Sequence, residues 1–486
     1  GAPACCGGCP PLAANPPPCL LFSWTTGAAQ QKHTNTPCPC MAWHRRVLIP
    51  SSAPPSTRSE IRMGARHSSA ILAALAARAS ALPLPPLPAS RLRLARSLTT
   101  MSAAGGERKA NLYGLRNEQL EAVLKDWGQP KFRLKQIRDC LYGDAPSADI
   151  DAMHTLPKAL RARLRETTTL GELGVEFEQQ SKDGTQKRLW RCHDGSLIES
   201  VLMPYDDRRR TACISSQVGC AMGCTFCATG QMGFRRDLSE AEIFEQAARF
   251  SSELRARGER LSNVVFMGMG EPFRNYDAVV GAARRIMDEL GIGARHLTIS
   301  TVGLAPQIRR FADEGLEVGL AISLHEANDV ARSAIMPVNR RYDLEELMSA
   351  CHYYVERSGR RLTFEWALIA GRNDDAATAR RLGKLLRGLK CHVNLIPLNP
   401  TQGFDGAPAS LPDAREFVEV LGRSGIPATV RVRRGIDIDA GCGQLAEASS
   451  KEKAKERLRR RGERAGERAG ERPEKAGAES RGERTE

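Results

Sequence analysis

No stretch of about 18 apolar residues occurs in the 486-residue chain, so no transmembrane helix is expected. The longest apolar run, residues 71–82, is short and is broken by Arg78. Acidic residues are almost missing from the first hundred positions, where Glu60 stands alone against ten lysines and arginines. The middle of the chain has little net charge. Of the formal +15, residues 1–100 carry +9 and residues 451–486 carry +4, which leaves +2 for 101–450. Bulk charge therefore makes no case for nucleic-acid binding by the core, and any such contact has to come from local patches. A disulfide scaffold is argued against by the distribution of cysteines. Of fifteen, six fall in the first 40 residues and four crowd into 213–227, a clustering that points to metal or redox chemistry.

Residues 1–100 are rich in Pro, Ala, Ser and Arg. From Met63 the composition is that of an organelle transit peptide, with Arg66, Arg78, Arg91, Arg93 and Arg96 set among Ala, Leu and Ser. A disordered tail is the plainer reading of the same composition. Residues 107–170 read as a small helical domain, because Leu115, Leu120, Val123 and Leu124 recur at helical spacing and Ile137, Cys140 and Leu141 repeat the pattern. Residues 171–205 read as a β-hairpin connector, with 188–192 and 197–203 flanking the turn His193-Asp194-Gly195.

Within 206–445, short β-prone runs at 211–215, 264–267, 297–301, 318–324, 362–369 and 393–396 alternate with helical segments. Six strands alternating with helices predict an α/β fold with a parallel sheet, open or barrel-like. One helix start is well specified: Ser239 and Glu242 make a capping box, with Leu238 and Ile243 as its hydrophobic staple. Residues 446–486 repeat Gly-Glu-Arg-Ala and read as a low-complexity charged tail.

The chemistry is concentrated in Cys213-Ile-Ser-Ser-Gln-Val-Gly-Cys220-Ala-Met-Gly-Cys224-Thr-Phe-Cys227. Thiolates at 220, 224 and 227 can wrap one face of a [4Fe–4S] cubane and leave one iron without a protein ligand. That iron can chelate the amino and carboxylate groups of S-adenosylmethionine. Zinc is the competing reading, but it usually takes four ligands in two close pairs. Buried core cysteines are another, but they do not explain three cysteines in a Gly-rich loop straight after a strand. The spacing resembles that of the radical S-adenosylmethionine superfamily, whose fold is a full or partial β/α barrel with the cluster loop after the first strand. One β/α unit further on, Gly268-Met269-Gly270-Glu271-Pro272 makes a Gly-rich turn that exposes backbone to a ligand, and Glu271 can accept from an ammonium.

The resemblance sharpens over residues 107–445 to the RlmN family of dual-specificity rRNA and tRNA adenine C2 methyltransferases. It is carried by Cys213 to Cys220, Gly268 to Pro272, Ser323-Leu324-His325, Asn394-Leu-Ile-Pro-Leu-Asn399-Pro400 and Arg434-Gly-Ile-Asp-Ile-Asp-Ala-Gly-Cys442-Gly-Gln444, in that order. It implies a partial (β/α)6 barrel core with an N-terminal helical accessory domain that binds RNA. It also implies that Gly270, Glu271, Ser300, Ser323, Leu324, His325 and Asn399 contact S-adenosylmethionine, used twice per turnover. In the same way Cys442 is expected to carry the methyl group, Cys213 to resolve the intermediate through a transient disulfide, and Glu199 to act as base.

Two extra cysteines make chemical sense. C2 of adenine is an electron-poor carbon that cannot attack a sulfonium methyl, whereas a thiolate can. A second thiolate can then free the product by forming a disulfide. The spacing from Glu199 to Cys213 is one residue longer than the family leads one to expect, with an extra basic residue in Arg208-Arg209-Arg210. As plain readings, Cys213 and Cys442 are buried structural thiols, Glu199 a solvated acid and His325 a hydrogen-bonded core histidine.

Basic groups at 208–210, 235–236, 340–341 and 431–434 are candidates for holding RNA, although most charge runs are merely solvated. The target adenine would have to leave its stack. The expected partners are rRNA and tRNA and an electron donor such as flavodoxin or ferredoxin. The expected state is a monomer off the membrane, in the chloroplast before the mitochondrion, or in the cytoplasm if residues 1–100 do not target. Two other functions share these motifs: methylation at adenine C8, as in the Cfr-type enzymes, and a non-catalytic iron–sulfur RNA-binding protein.

Overall fold

Strands covered on both faces are written in continuous apolar runs. The runs at 264–267 and 318–324 are of that kind, those at 297–301 and 393–396 alternate, and the computed structural model, which describes residues 100–101 and 107–446, folds each run into a strand. The expected targeting segment over 1–100, Thr100 apart, and the charged tail beyond Ala446 lie outside the described residues.

Ten strands make the main sheet. An antiparallel set comes first: β1 Gly174–Gln180, β2 Gln186–Arg191 and β3 Leu197–Pro204. The parallel set follows: β4 Arg210–Cys213, β5 Asn263–Phe266, β6 Leu297–Thr301, β7 Gly319–Ser323, β8 Leu362–Leu368, β9 Cys391–Pro397 and β10 Ala428–Val430. The spatial order runs from β10 to β1 without a break, and β3 joins the two sets by pairing antiparallel with β4 (Val201 opposite Cys213). The sheet keeps two free ends and so forms a partial barrel.

Two features extend the expectation from sequence. The stretch at 171–205 is a three-stranded meander built into the main sheet, and its outermost strand β1 was not legible because most of its side chains are exposed. A seventh parallel strand, β10, has only three residues, too few to show a period.

Helices α1 Asn117–Asp126, α2 Phe132–Tyr142 and α3 Lys158–Thr167 form the N-terminal module. Helices α4 Glu240–Ala256, α5 Tyr276–Leu290, α6 Ala305–Asp313, α7 Asp329–Ile335, α8 Leu344–Ser358, α9 Ala376–Leu385 and α10 Leu411–Arg423 connect the parallel strands. The capping box at α4 is present: Ser239 Oγ accepts from the Glu242 N–H at 3.2 Å, and Glu242 returns the bond to the Ser239 N–H at 2.9 Å.

A buried carboxylate joins the module to the core. Glu245 on α4 is fully buried and accepts from the backbone N–H groups of Glu172 and Leu173 and from Asn111 Nδ2 at 2.9 Å, with Arg249 beside it. Edge-to-face packing of Tyr142 on Phe244, 5.7 Å between centroids, supplies apolar contact next to it. Removing the carboxylate strands several buried donors. Glu245→Ala is expected to lower the unfolding free energy by about 3 kcal/mol, read from urea denaturation. An unchanged midpoint would show that the module is held by apolar packing alone.

Candidate active site

Parallel strands all end at the same edge, so the loops that follow them gather there. Here the ends of β5 to β9 and the loop after β4 line one cleft, with about 990 Å³ of space not filled by atoms, its open mouth included. Cys220, Cys224, Cys227, Gly270, Glu271, Ser300, Ser323, His325 and Asn399 all line it, as does Cys442.

The cysteine loop is shaped by a short antiparallel ribbon, Gln217–Gly219 against Phe234–Asp237. Gly219 has φ +74°, and a Cβ there would stand 1.9 Å from the Gly233 carbonyl oxygen, so no other residue fits this turn. Three further bonds fix the loop. The Thr225 N–H donates to the Ile335 carbonyl (3.0 Å), the Ala228 N–H to the Gly443 carbonyl (2.7 Å), and the Thr229 hydroxyl to the Leu445 carbonyl (2.7 Å).

Burial raises all three thiols, that of Cys220 to about 12, and for Cys224 the charges of Cys227 and Cys220 add to the effect. Such a set disfavours its own anions unless a cationic group supplies the balancing charge. Among the described residues no three His, Cys, Asp or Glu side chains converge where one ion could sit. Thiolates that each bind a different iron of a cubane have no need to converge. Two buried acceptors on the cleft wall, Asn399 Oδ1 and Glu365 Oε2, lack any hydrogen-bond partner, as expected where a polar ligand completes the site. The residues present therefore fit a cluster together with a polar cosubstrate.

Glu271 is buried, and its oxygens accept from the N–H groups of Phe273 (3.0 Å) and Val302 (2.9 Å). Burial raises its carboxyl to about 7 against those bonds. Gly270 holds φ +104° and lies against Gln217, whose amide oxygen accepts from the Glu271 N–H at 2.8 Å. The hydroxyls of Ser300 and Ser323 stand 3.5 Å apart across β6 and β7. Leu324 is placed differently from its neighbours: its side chain is fully buried in the apolar core, and it is not among the residues lining the cleft.

Sequence reasoning missed Arg332. It is fully buried on α7 and donates to the carbonyls of Val302 (2.7 Å) and Leu324 (3.1 Å) and to Asn339 Oδ1 (2.7 Å). It thereby ties together the turns after β6 and β7. In the sequence it looks like any arginine on a short helix.

A second cavity adjoins the first. It is lined by Val201, Met203, Val265 and Met267, and holds both Cys213 and Cys442. Cys442 thus borders both cavities. Its carbonyl accepts from Asn399 Nδ2 at 3.1 Å, and the next turn is held by Gln444, which donates to the Pro400 carbonyl at 3.0 Å. Cys442 is reached by solvent, yet the protein packed about it raises its thiol, Arg431 pulls it down, and Glu365 and Cys227 oppose Arg431. The Cys213 thiol is raised by burial and then by the charge of Cys442.

Glu199 is not among the residues lining either cavity. It lies two residues before Val201 on β3, on the same face, fully buried, 3.6 Å from Lys187 Nζ, and accepts from the Ala446 N–H at 2.9 Å.

His325 combines backbone strain with a titratable ring. Its φ of +59° is uncommon for a residue with a side chain. Nδ1 accepts from the Ala367 N–H at 2.9 Å, so a neutral ring carries its proton on Nε2, and Phe226 packs edge-on at 4.8 Å. Burial, reinforced by Arg332, lowers its pKa to about 3. An unfolded histidine gains a proton below about pH 6.5, whereas the folded one does so only near 3, so stability falls as pH falls through that window. About 2 kcal/mol should be lost between about pH 6.5 and 5. His325→Asn, which keeps an acceptor and tolerates positive φ, should flatten that slope in urea denaturation across pH. An unchanged slope would assign the acid sensitivity elsewhere.

Comparison with known proteins agrees with this geometry. Residues 214–382 match the Radical SAM superfamily, and residues 110–170 match the ribosomal RNA large subunit methyltransferase N-terminal domain. The chain is 51% identical over 339 residues to dual-specificity RNA methyltransferase RlmN 1 of Myxococcus xanthus, covering 69% of this chain and 94% of that protein. It is 47% identical over 356 residues to a probable dual-specificity RNA methyltransferase RlmN of Corynebacterium efficiens, covering 71% and 95%. The crystal structure of a radical SAM methyltransferase from Sphaerobacter thermophilus superposes with a TM-score of 0.66 at 48% identity, covering 69% of this chain and 99% of that one. With its three-cysteine cleft and its own helical module, the chain belongs to the RlmN family of radical S-adenosylmethionine RNA methyltransferases.

Proposed function

We propose that the protein methylates C2 of a specific adenosine in 23S-type rRNA and in tRNA, with Cys442 as methyl carrier and Cys213 as resolving thiol. The observation that carries this reading is the position of Cys442 on the border of two cavities, one lined by the cluster cysteines and the other by Cys213. Cys220, Cys224 and Cys227 would hold the [4Fe–4S] cluster. Gly270, Glu271, Ser300, Ser323, His325 and Asn399 would hold S-adenosylmethionine. When bound, the cluster supplies the electron for reductive cleavage of S-adenosylmethionine, and with it the means to remove a hydrogen atom from an unactivated methyl group.

The chain's own residues do the rest. Arg431 favours the Cys442 thiolate, which bonds the methyl carbon of one S-adenosylmethionine and displaces S-adenosylhomocysteine, so two are used per turnover. That methyl carbon, once it has lost a hydrogen atom, bonds C2 and leaves the base tethered to Cys442, and as the C2 proton leaves, the adduct gives up its one unpaired electron to the oxidised external electron carrier. Glu199 serves as proton acceptor for C2, which requires its carboxylate to exchange the Ala446 N–H for the substrate. Cys213 then attacks Cys442 Sγ. The sulfur–carbon bond breaks with its electron pair left on carbon, which takes up a proton to become the product methyl group, a Cys213–Cys442 disulfide forms, and two electrons and two protons from an external reductant and solvent restore both thiols.

Anaerobic incubation of the reconstituted enzyme with unmodified rRNA fragment or tRNA, S-adenosylmethionine and a reductant should yield 2-methyladenosine by nucleoside mass spectrometry. A peak of 8-methyladenosine in its place would move the chemistry to C8. Cys213→Ala should keep the iron content and accumulate a covalent enzyme–RNA adduct, visible as a shifted band after denaturing electrophoresis. Normal turnover by that variant would remove Cys213 from the mechanism.

A further inference from the structure

The cavity that holds Cys213 and Cys442 is bordered by the basic segment 431–434 and, through Tyr205, by the loop 205–209, whose two arginines are matched in number by two aspartates. In that loop, the Tyr205 N–H donates to the Arg209 carbonyl (2.9 Å) and the Arg208 N–H to the Tyr205 carbonyl (3.1 Å). This turn sets Arg208 at φ +66°, a position that glycine or asparagine ordinarily takes. An exposed arginine there keeps a cation at the rim at the expense of backbone comfort.

The two loops meet at Tyr205. The guanidinium groups of Arg209 and Arg434 each pack on its ring, 4.4 Å from the centroid. Arg434 Nε is buried without a hydrogen-bond partner. Between these groups Val432 stands 81% exposed, an apolar surface amid charge.

Acids account for only part of this positive charge. Arg209 is held by Asp207 at 2.7 Å, Arg210 by Glu259 at 2.9 Å, and Arg431 lies 3.9 Å from Glu365. Asp206 is the remaining acid of the turn. Arg208, Arg433 and Arg434 have no carboxylate partner among the described residues. By contrast Arg236, in another basic pair of the chain, is committed to Asp194 and Glu242.

We propose that this rim is a clamp for the nucleotides that flank the target adenosine in single-stranded RNA. Arg208 and Arg433 take phosphates, and the Tyr205–Arg434 stack with Val432 offers a flat platform for a neighbouring base. Planar guanidinium and aromatic groups stack on any base, and unpaired cations bind a backbone without reading its sequence. The clamp would hold the strand while one base enters the cavity behind it. It rests on the RNA reading given above.

The test is fluorescence anisotropy of a labelled RNA hairpin with an adenosine in its loop, titrated with anaerobic holoenzyme over a range of potassium chloride. Arg433→Ala/Arg434→Ala should bind at least about ten-fold more weakly and reduce the slope of log affinity against log salt by about one. Arg434→Lys should keep the slope and still lose several-fold in affinity, because an ammonium does not stack. Arg295→Ala, which removes a cation from the turn preceding β6 at the opposite edge of the sheet, should bind as the wild type does. Iron content and thermal melting verify that each variant is folded. Wild-type binding that the double variant matches in affinity and slope would overturn the clamp and leave the RNA reading standing. A wild-type protein that fails to bind the hairpin would overturn both.

Discussion

The arrangement depends on a short seam between two segments more than two hundred residues apart. The Ala228 N–H bonds to the Gly443 carbonyl, and the Thr229 hydroxyl to the Leu445 carbonyl. These bonds set the cysteine loop after β4 against the segment after β10. Without them Cys442 would sit on a surface loop with no fixed relation to Cys220, Cys224 and Cys227. The parallel sheet makes the seam possible, because it delivers the ends of β4 and β10 to the same edge. Asn399 and Gln444 secure the far side of the same turn, through the Cys442 and Pro400 carbonyls. Reactive positions on a loop are thus held nearly as firmly as positions on a strand.

Burial and charge then divide the labour among chemically similar side chains. The cluster thiols and the Cys213 thiol are raised mainly by burial. For Cys442 the Arg431 guanidinium is the largest influence after burial, whereas for Cys224 the lowering effect of Arg332 comes last, behind three raising charges. A methyl acceptor has to be a nucleophile, so the cation is placed where the proposed chemistry uses it. Arg332 acts differently, inside the protein, spending its donors on backbone carbonyls and so fixing the turns that carry Ser300 and Ser323.

Much of the core was legible in the sequence, because its strands are written as short β-prone runs between helical segments and the three-cysteine spacing is specific. The capping box at Ser239 was legible for the same reason, since local chemistry specifies it locally. What escaped were features that arise from position in three dimensions. β1 is an exposed edge strand whose apolar–polar alternation spans only Val175 to Glu178, β10 is too short to show a period, and Arg332 is an internal strut spelled like a surface residue. Leu324 comes just after the end of β7, and the turn that sets His325 at positive φ sends the Leu324 side chain into the core while Ser323 and His325 line the cleft. The position of Glu199 away from either cavity could not be read from its place in the chain, because it depends on Lys187 and Ala446 meeting it across the fold.

Because Cys442 borders both cavities, the two can diverge independently. Side chains such as Val201, Met203 and Val265 line only the second. Under the proposed mechanism, substitutions there would change which edge of a base faces the Cys442 sulfur without touching Glu271, Ser300 or His325, which line only the first. Natural selection can therefore vary the chosen atom of the acceptor while keeping one activation chemistry, and new regiochemistry can arise in small steps from an enzyme that never loses its cofactor site.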